Sequence, residues 1–318
     1  MASAASRAVP TLCLAGRVVS LGSSKQKLQL PGNCFSQFLT SRSNHLARYV
    51  KETKNIDKAF KFAKSASEFS YRLLDLTGNS GEISLTLQNT TSTLSTARSV
   101  IALTNAYNGA IPGFVSAVRS CYQHIKQCIS PNRYGSEKVI AYNECYINRA
   151  DHALAAIDSL SVAVGASTYV ATFGVVRPVL LANKLANTPF LRSELKQALG
   201  SSVDYMMTAN HAAGVVGKIA VLAYETRAYS RAKEQLDSLI QAEQDVARHG
   251  EMLGSLRQSH LQALKKTILA LLEKAFELIA DIVKFVPMPH YTALRLVVVS
   301  GLVTVSSALG CYSLWTSS

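Results

Sequence analysis

Cys121, His124 and Cys128 stand at i, i+3 and i+7, a spacing that puts two thiols and an imidazole on one face of a helix. Zinc takes such ligands, usually four to a site, and Cys145 is the candidate fourth. No second short-spaced ligand pair accompanies them, so the three are read as packing, and no metal or other cofactor is expected. As a Cys–His nucleophile pair they lack a third group to orient the base. The chain has no P-loop, GxGxxG, GxSxG or HExxH pattern. No pair of carboxylates suggests acid–base chemistry, and an enzyme is not expected.

The other chemistry-bearing residues lie in or beside apolar segments. Asp158, Asp204 and His211 interrupt such segments, where ionisable groups are functional candidates by default. The simpler expectation is that Asp158 and Lys218 reach headgroups from helix ends and that Asp204 marks an interface. Lys51, Lys54, Lys58 and Lys61 form a stripe at i, i+3, i+7 and i+10, opposite Tyr49, Ile56, Phe60, Ala63, Tyr71 and Leu74. This is the pattern of an interfacial amphipathic helix, with the basic side at anionic headgroups and Phe60 in the apolar layer. A core-facing helix with a solvated basic face gives the same pattern.

The elements that carry these residues read as helices. Hydrophobic residues are 48% of the chain, charged residues 17%, and the formal net charge is +13. A charged share this far below the ~25% of soluble domains, with a basic balance, points to an anionic membrane surface. Nucleic acid is not expected, because the basic residues sit beside apolar runs. Residues 1–43 read as a disordered export or targeting segment, acid-free through Lys51. A transit peptide, a bacterial export signal and a plain tail all fit it. Residues 44–118 read as an amphipathic region with an apolar helix kinked at Pro112, and Gly109 and Gly113 have the spacing of a close helix contact. Residues 119–152 are a polar connection broken at Ser130-Pro131-Asn132.

An apolar helical hairpin over 153–224 follows, its first run closed by Arg177-Pro178 and its second carrying small residues at Ala209, Ala213 and Gly217. Residues 225–266 form a charged helical arm with weak points at Gly250 and Gly254. Residues 267–318 hold a second amphipathic helix and a C-terminal span. In that helix Ile268, Leu271, Leu272, Ile279, Ile282 and Val286 share a face opposite Glu273, Lys274, Glu277, Asp281 and Lys284. Leu296–Trp315 is twenty residues without charge, enough to cross about 30 Å of hydrocarbon. Trp315 ends it as an interface anchor, and Ser306 and Gly310 give it a small-residue face. The six cysteines form no CxxC pair and are expected as free thiols. The fold class expected is all-α: an integral membrane helical bundle with interfacial amphipathic helices and a charged arm.

The runs Leu46-Ala47-Arg48-Tyr49-Val50, Asp57-Lys58, Ala63-Lys64-Ser65-Ala66, Ala106-Tyr107-Asn108-Gly109-Ala110, Tyr169 to Pro178, Ala209 to Ala213 and Leu272-Glu273-Lys274 resemble the chlamydial class I accessible protein family of inclusion-membrane proteins. They occur in order over roughly 45–315, and the arm at 225–262 departs most. The resemblance implies type III secretion by a bacterium and insertion into the host-derived vacuole (inclusion) membrane, with a non-enzymatic role at the host-facing surface. Thr53, Asn55, Asp57-Lys58, Phe60-Lys61 and Ser95-Thr96-Ala97-Arg98 with Leu103 and Asn105 are similar to the eleventh peroxin family, which elongates peroxisomal membranes through an amphipathic helix. Its usual glycines are Asn55, Ala97 and Thr104 here.

The expected function is therefore membrane shaping or decoration through the basic helix. Lys51, Lys54, Lys58, Phe60, Lys61 and Trp315 are the expected lipid contacts. The alternative is a membrane-anchored scaffold that recruits a host protein through 225–266. The expected partners are anionic membrane lipid, with host proteins and a homo-oligomer as further candidates.

Overall fold

The structure, a computed structural model, describes residues 12–14, 17–19, 53–79, 81–129, 149–186, 188–243 and 246–316. Lys51, the Ser130–Asn132 break and Cys145 lie outside the described residues, as does most of 1–43. Within that first segment β1 (Leu12–Leu14) and β2 (Arg17–Val19) pair antiparallel, Cys13 opposite Val18. The rest of the described chain is helix with short connections.

The helices are α1 (Thr53–Leu76), α2 (Glu82–Asn105), α3 (Ile111–Ile129), α4 (Arg149–Tyr169), α5 (Arg177–Leu185), α6 (Ser193–Glu243), α7 (Val246–Phe285) and α8 (Thr292–Trp315). A π turn at Ala106–Ala110 fuses α2 to α3, and another at Val170–Val176 fuses α4 to α5. Six helical rods result among the described residues. Each rod packs along the next in sequence, and α8 packs along α1, which closes the ring. Three rods are long and apolar enough to cross a membrane: Arg149–Leu185, Ser193–Glu234 and Pro289–Trp315. The chain is an all-α helical membrane protein.

Local chemistry explains the joints. Gly78 sits at φ 76° and ends α1 in a left-handed turn, where Asn79 N–H donates to Leu74 O at 2.9 Å and Gly78 N–H to Asp75 O at 3.3 Å. Proline lacks an N–H and clashes one turn back, so it disrupts a helix interior. Neither Pro112 nor Pro178 ends a helix here, and each follows a π turn that takes up the misfit. Pro178 leaves Gly174 O without its usual donor, and the Tyr107 hydroxyl supplies one at 3.2 Å. The expected stop at Arg177-Pro178 is thus a joint within one rod. The Gly109–Gly113 pair has nothing within 4 Å of either added Cβ, so it makes no close helix contact. Gly217 does: a Cβ there would collide with Ser161 Oγ, so its absence lets α4 and α6 approach this closely.

Burial runs opposite to that of a water-soluble bundle. Among the described residues eight of the thirteen buried apolar side chains are alanine, and they share the interior with Asn55, Ser65, Asp151, His211, Glu273, Glu277, Ser306 and other polar groups. Phe62, Leu73, Phe114, Val118, Ile157, Leu160, Val216, Ile219, Val298 and Val305 are exposed. The C-terminal half of α7 shows it: Ile268, Leu272, Ile279, Ile282 and Phe285 face outward, while Glu273 and Glu277 are buried. α1 and α7, expected at the interface, are staves of the ring. Lipid makes no demand for an apolar core. Close contact of small residues and internal pairing of polar groups hold such a bundle together.

Candidate functional site

The polar faces of α1, α6 and α7 meet inside the ring. Lys58 and Lys61 lie one turn apart on α1, and Glu273 and Glu277 one turn apart on α7, so two ion pairs form in register. Lys58 binds Glu273 and Lys61 binds Glu277. Lys274 Nζ reaches Glu277 at 2.9 Å. From α6, His211 Nε2 lies 3.1 Å from Glu277 and Nδ1 lies 2.8 Å from Asp281. Three ammonium groups and three carboxylates thus surround one imidazole. A neutral imidazole has a single N–H. Carboxylate oxygens face both of its nitrogens, Glu277 on one side and Asp281 on the other.

α8 closes the site with small side chains. Ser306 O–H donates to Glu273 O at 3.0 Å. A Cβ on Gly310 would lie 2.9 Å from the Glu273 carboxyl and from Lys58 Nζ, so only glycine lets α8 lie this near the ion pairs. Beside this cluster Arg98 Nε donates to Asp57 at 2.9 Å. Phe173, almost fully buried against Ala102 and Ala106, has Arg177 over its ring at 4.6 Å and Arg98 at 5.9 Å, both within cation–π range.

The cluster is therefore bound by mutual pairing, because each charge alone would be costly to bury.

This placement changes the reading of the lysine stripe. Lys58 and Lys61 are not turned to headgroups; both are engaged with acids of α7. The reason is complementarity, since α7 offers carboxylates at the matching spacing. Lys54 lies in the first turn of α1, Lys51 is outside the described residues, and Phe60 and Trp315 are half-buried. Asp204 pairs with Lys284 near the surface. Asp158 is half-buried, and among the described residues its buried Oδ1 has no hydrogen-bond partner, beside the Gly217 contact.

Among the described residues no three His, Cys, Asp or Glu side chains converge as a metal site. His124 Nδ1 instead lies 3.1 Å from His152 Nδ1 across the α3–α4 contact, and Cys128 Sγ is 3.5 Å from Arg149 O. Two features went unforeseen. Asp151, fully buried on α4, is bound by Arg231 at 2.7 Å with Arg227 at 3.6 Å. The charged arm is an antiparallel pairing of α6 with α7, in which Tyr229 stacks on His260 at 4.1 Å and Thr267 donates to Glu225 at 3.0 Å. Protein-family models, curated proteins and solved structures gave no match to the chain.

Proposed function

We propose that this chain is a non-enzymatic protein, secreted by a bacterium and seated in a host-derived vacuole membrane, that decorates the membrane and presents the paired α6–α7 segment to a host protein. The resemblance carried by Tyr169 to Pro178 and the other ordered runs supports the secretion and the vacuole membrane. The observation that carries the function is the reversed burial: apolar side chains outward, ion pairs inward. A chain built this way is embedded, and it meets other proteins with what projects beyond the lipid. Between 225 and 266 many charged groups are exposed, among them Arg227, Lys233, Glu234, Arg257, Lys265 and Lys266. Membrane shaping by a basic helix has less support, because Lys58 and Lys61 are occupied inside the ring.

The test is a tag inserted between residues 243 and 246 of the secreted, full-length protein, read by selective permeabilisation of infected cells. The tag is expected to be reachable from the host cytosol. Reversing the charge of Lys233, Arg257 and Lys266 together is expected to abolish cross-linking to host protein and to leave membrane targeting unchanged. A tag shielded from the cytosol, or cross-linking unaffected by the reversal, overturns the reading.

A further inference from the structure

Away from the ion-pair cluster, a cavity of about 500 Å³ opens between α1, α2 and α5. Lys64, Arg177 and Lys184 line it, with Glu68 as its acid. Glu68 is already bound by Arg72 on the next turn at 2.8 Å, so its charge is largely answered within α1. Among the described residues Arg177 has neither an ion pair nor a hydrogen bond. Its contact is the Phe173 ring, which takes up none of its N–H donors. Lys64 and Lys184 also lack such partners among the described residues, although Lys64 is half-buried.

The hydroxyls of the wall divide in the same way. Thr91, Thr96 and Ser99 donate to backbone carbonyls one turn back. Ser92, Ser95 and Tyr71, also in the wall, donate to nothing among the described residues. Three cations and three idle hydroxyl donors therefore face one polar space. Lys184 is exposed at the rim, whereas Arg177 and Lys64 are half-buried, where cations are costly unless paired. A phosphate oxyanion answers them best, since it accepts from a guanidinium fork and from several O–H and N–H donors at once.

We propose that this cavity binds a phosphate group, borne by an anionic lipid headgroup or by a small soluble molecule, with Arg177 as the forked donor, Lys64 and Lys184 as charge partners, and Ser92 and Ser95 as hydroxyl donors. The proposal does not depend on which membrane holds the chain or on any host partner.

The test uses the full chain in an uncharged detergent. Binding is measured by calorimetry and by the rise in Tm, with inorganic phosphate, glycerol 3-phosphate and phosphatidate as probes and chloride and phosphatidylcholine as controls. The phosphate probes are expected to bind and the controls not. Arg177→Gln is expected to weaken binding at least about tenfold, the loss of one charged hydrogen-bonding partner. Lys184→Gln and Ser95→Ala, at positions that carry no packing load, are expected to weaken it a few-fold, and they decide the matter if Arg177→Gln does not fold. Binding of phosphatidate alone assigns a lipid; binding of the soluble probes as well assigns a free phosphorylated ligand. No binding of any phosphate probe, or equal binding by all three variants and the unaltered chain, overturns the proposal.

Discussion

Glu277 is the keystone of the buried cluster, and its replacement by leucine gives the sharpest test. The residue is 2% exposed and contacts Lys61, Lys274 and His211. Glu277→Leu keeps an apolar volume in place but takes the acid from three basic groups at once. Removing one partner of a buried ion pair costs about 3–5 kcal/mol, a fall of roughly a hundredfold to a few thousandfold in the folding equilibrium. The control is Asp204→Asn, which breaks the Lys284 pair where the two side chains are 36% and 46% exposed, and it should cost under about 1 kcal/mol. Adding Lys61→Met to Glu277→Leu should recover a substantial part of the loss, since an apolar pair of similar volume replaces a buried ion pair at little cost. The assay is reversible unfolding of the full chain from mild detergent into dodecyl sulfate, followed by helical circular dichroism. If Glu277→Leu costs no more than Asp204→Asn, the cluster is solvated and the inward orientation of the charged face of α7 is wrong.

Three further outcomes follow from single contacts. Gly217→Ala should destabilise the α4–α6 contact by about 1–3 kcal/mol through overpacking against Ser161, and Ser161→Gly should restore most of it in the same unfolding assay. Arg231→Met takes the nearest cation from fully buried Asp151 and should cost about 3 kcal/mol, whereas Arg227→Met, at 3.6 Å and half-exposed, should cost far less. His124 is held below its ordinary pKa by burial, with His152 adding repulsion. Its folded pKa thus lies under the unfolded value of about 6.5. Its stabilising effect is complete above that value and is lost as pH falls through the folded one. The Tm of the unaltered chain should therefore drop more between about pH 7.5 and 5.5 than that of His124→Asn, and parallel curves would reject the contact.

The all-α class was legible in the sequence, because apolar runs such as Leu296–Trp315 are long and uncharged enough for a helix that crosses a membrane. Helix direction was not. The period of α7 separates Ile268, Leu272, Ile279 and Ile282 from Glu273, Glu277 and Asp281, but it cannot say which side meets the protein. The surrounding medium decides that, and one helix does not report its medium. Pro178 misled for a related reason: it forbids one backbone hydrogen bond, yet the π turn beforehand accommodates it without ending the rod, as another does at Pro112, which was read as a kink within a helix. The small residues were half legible. Ser306, Gly310 and Gly217 lie at tight contacts as their spacing suggested, whereas Gly109 and Gly113, with equal spacing, touch nothing. Spacing permits close approach, and the partner helix must still arrive.

A signal for the buried cluster was present, split between two distant segments. Lys58 and Lys61 on one helix match Glu273 and Glu277 on another, some 215 positions away, in charge and in turn spacing. Read singly, each helix looks amphipathic and ready for a membrane surface. Read together, each supplies what the other must bury. This pairing also constrains assembly. A lysine at the centre of a membrane costs about 2.5–3.5 kcal/mol on insertion scales, so α1 alone would carry two such penalties in a helix with little apolar excess. Paired with α7, the same two lysines offset two carboxylates that would otherwise be equally unwelcome in lipid. Pairing thus relieves both helices of unanswered charge, and α8 joins them through the Ser306 hydroxyl and the close contact at Gly310. The closing contact of the ring, α8 along α1, is on this account a consequence of charge pairing as much as of packing.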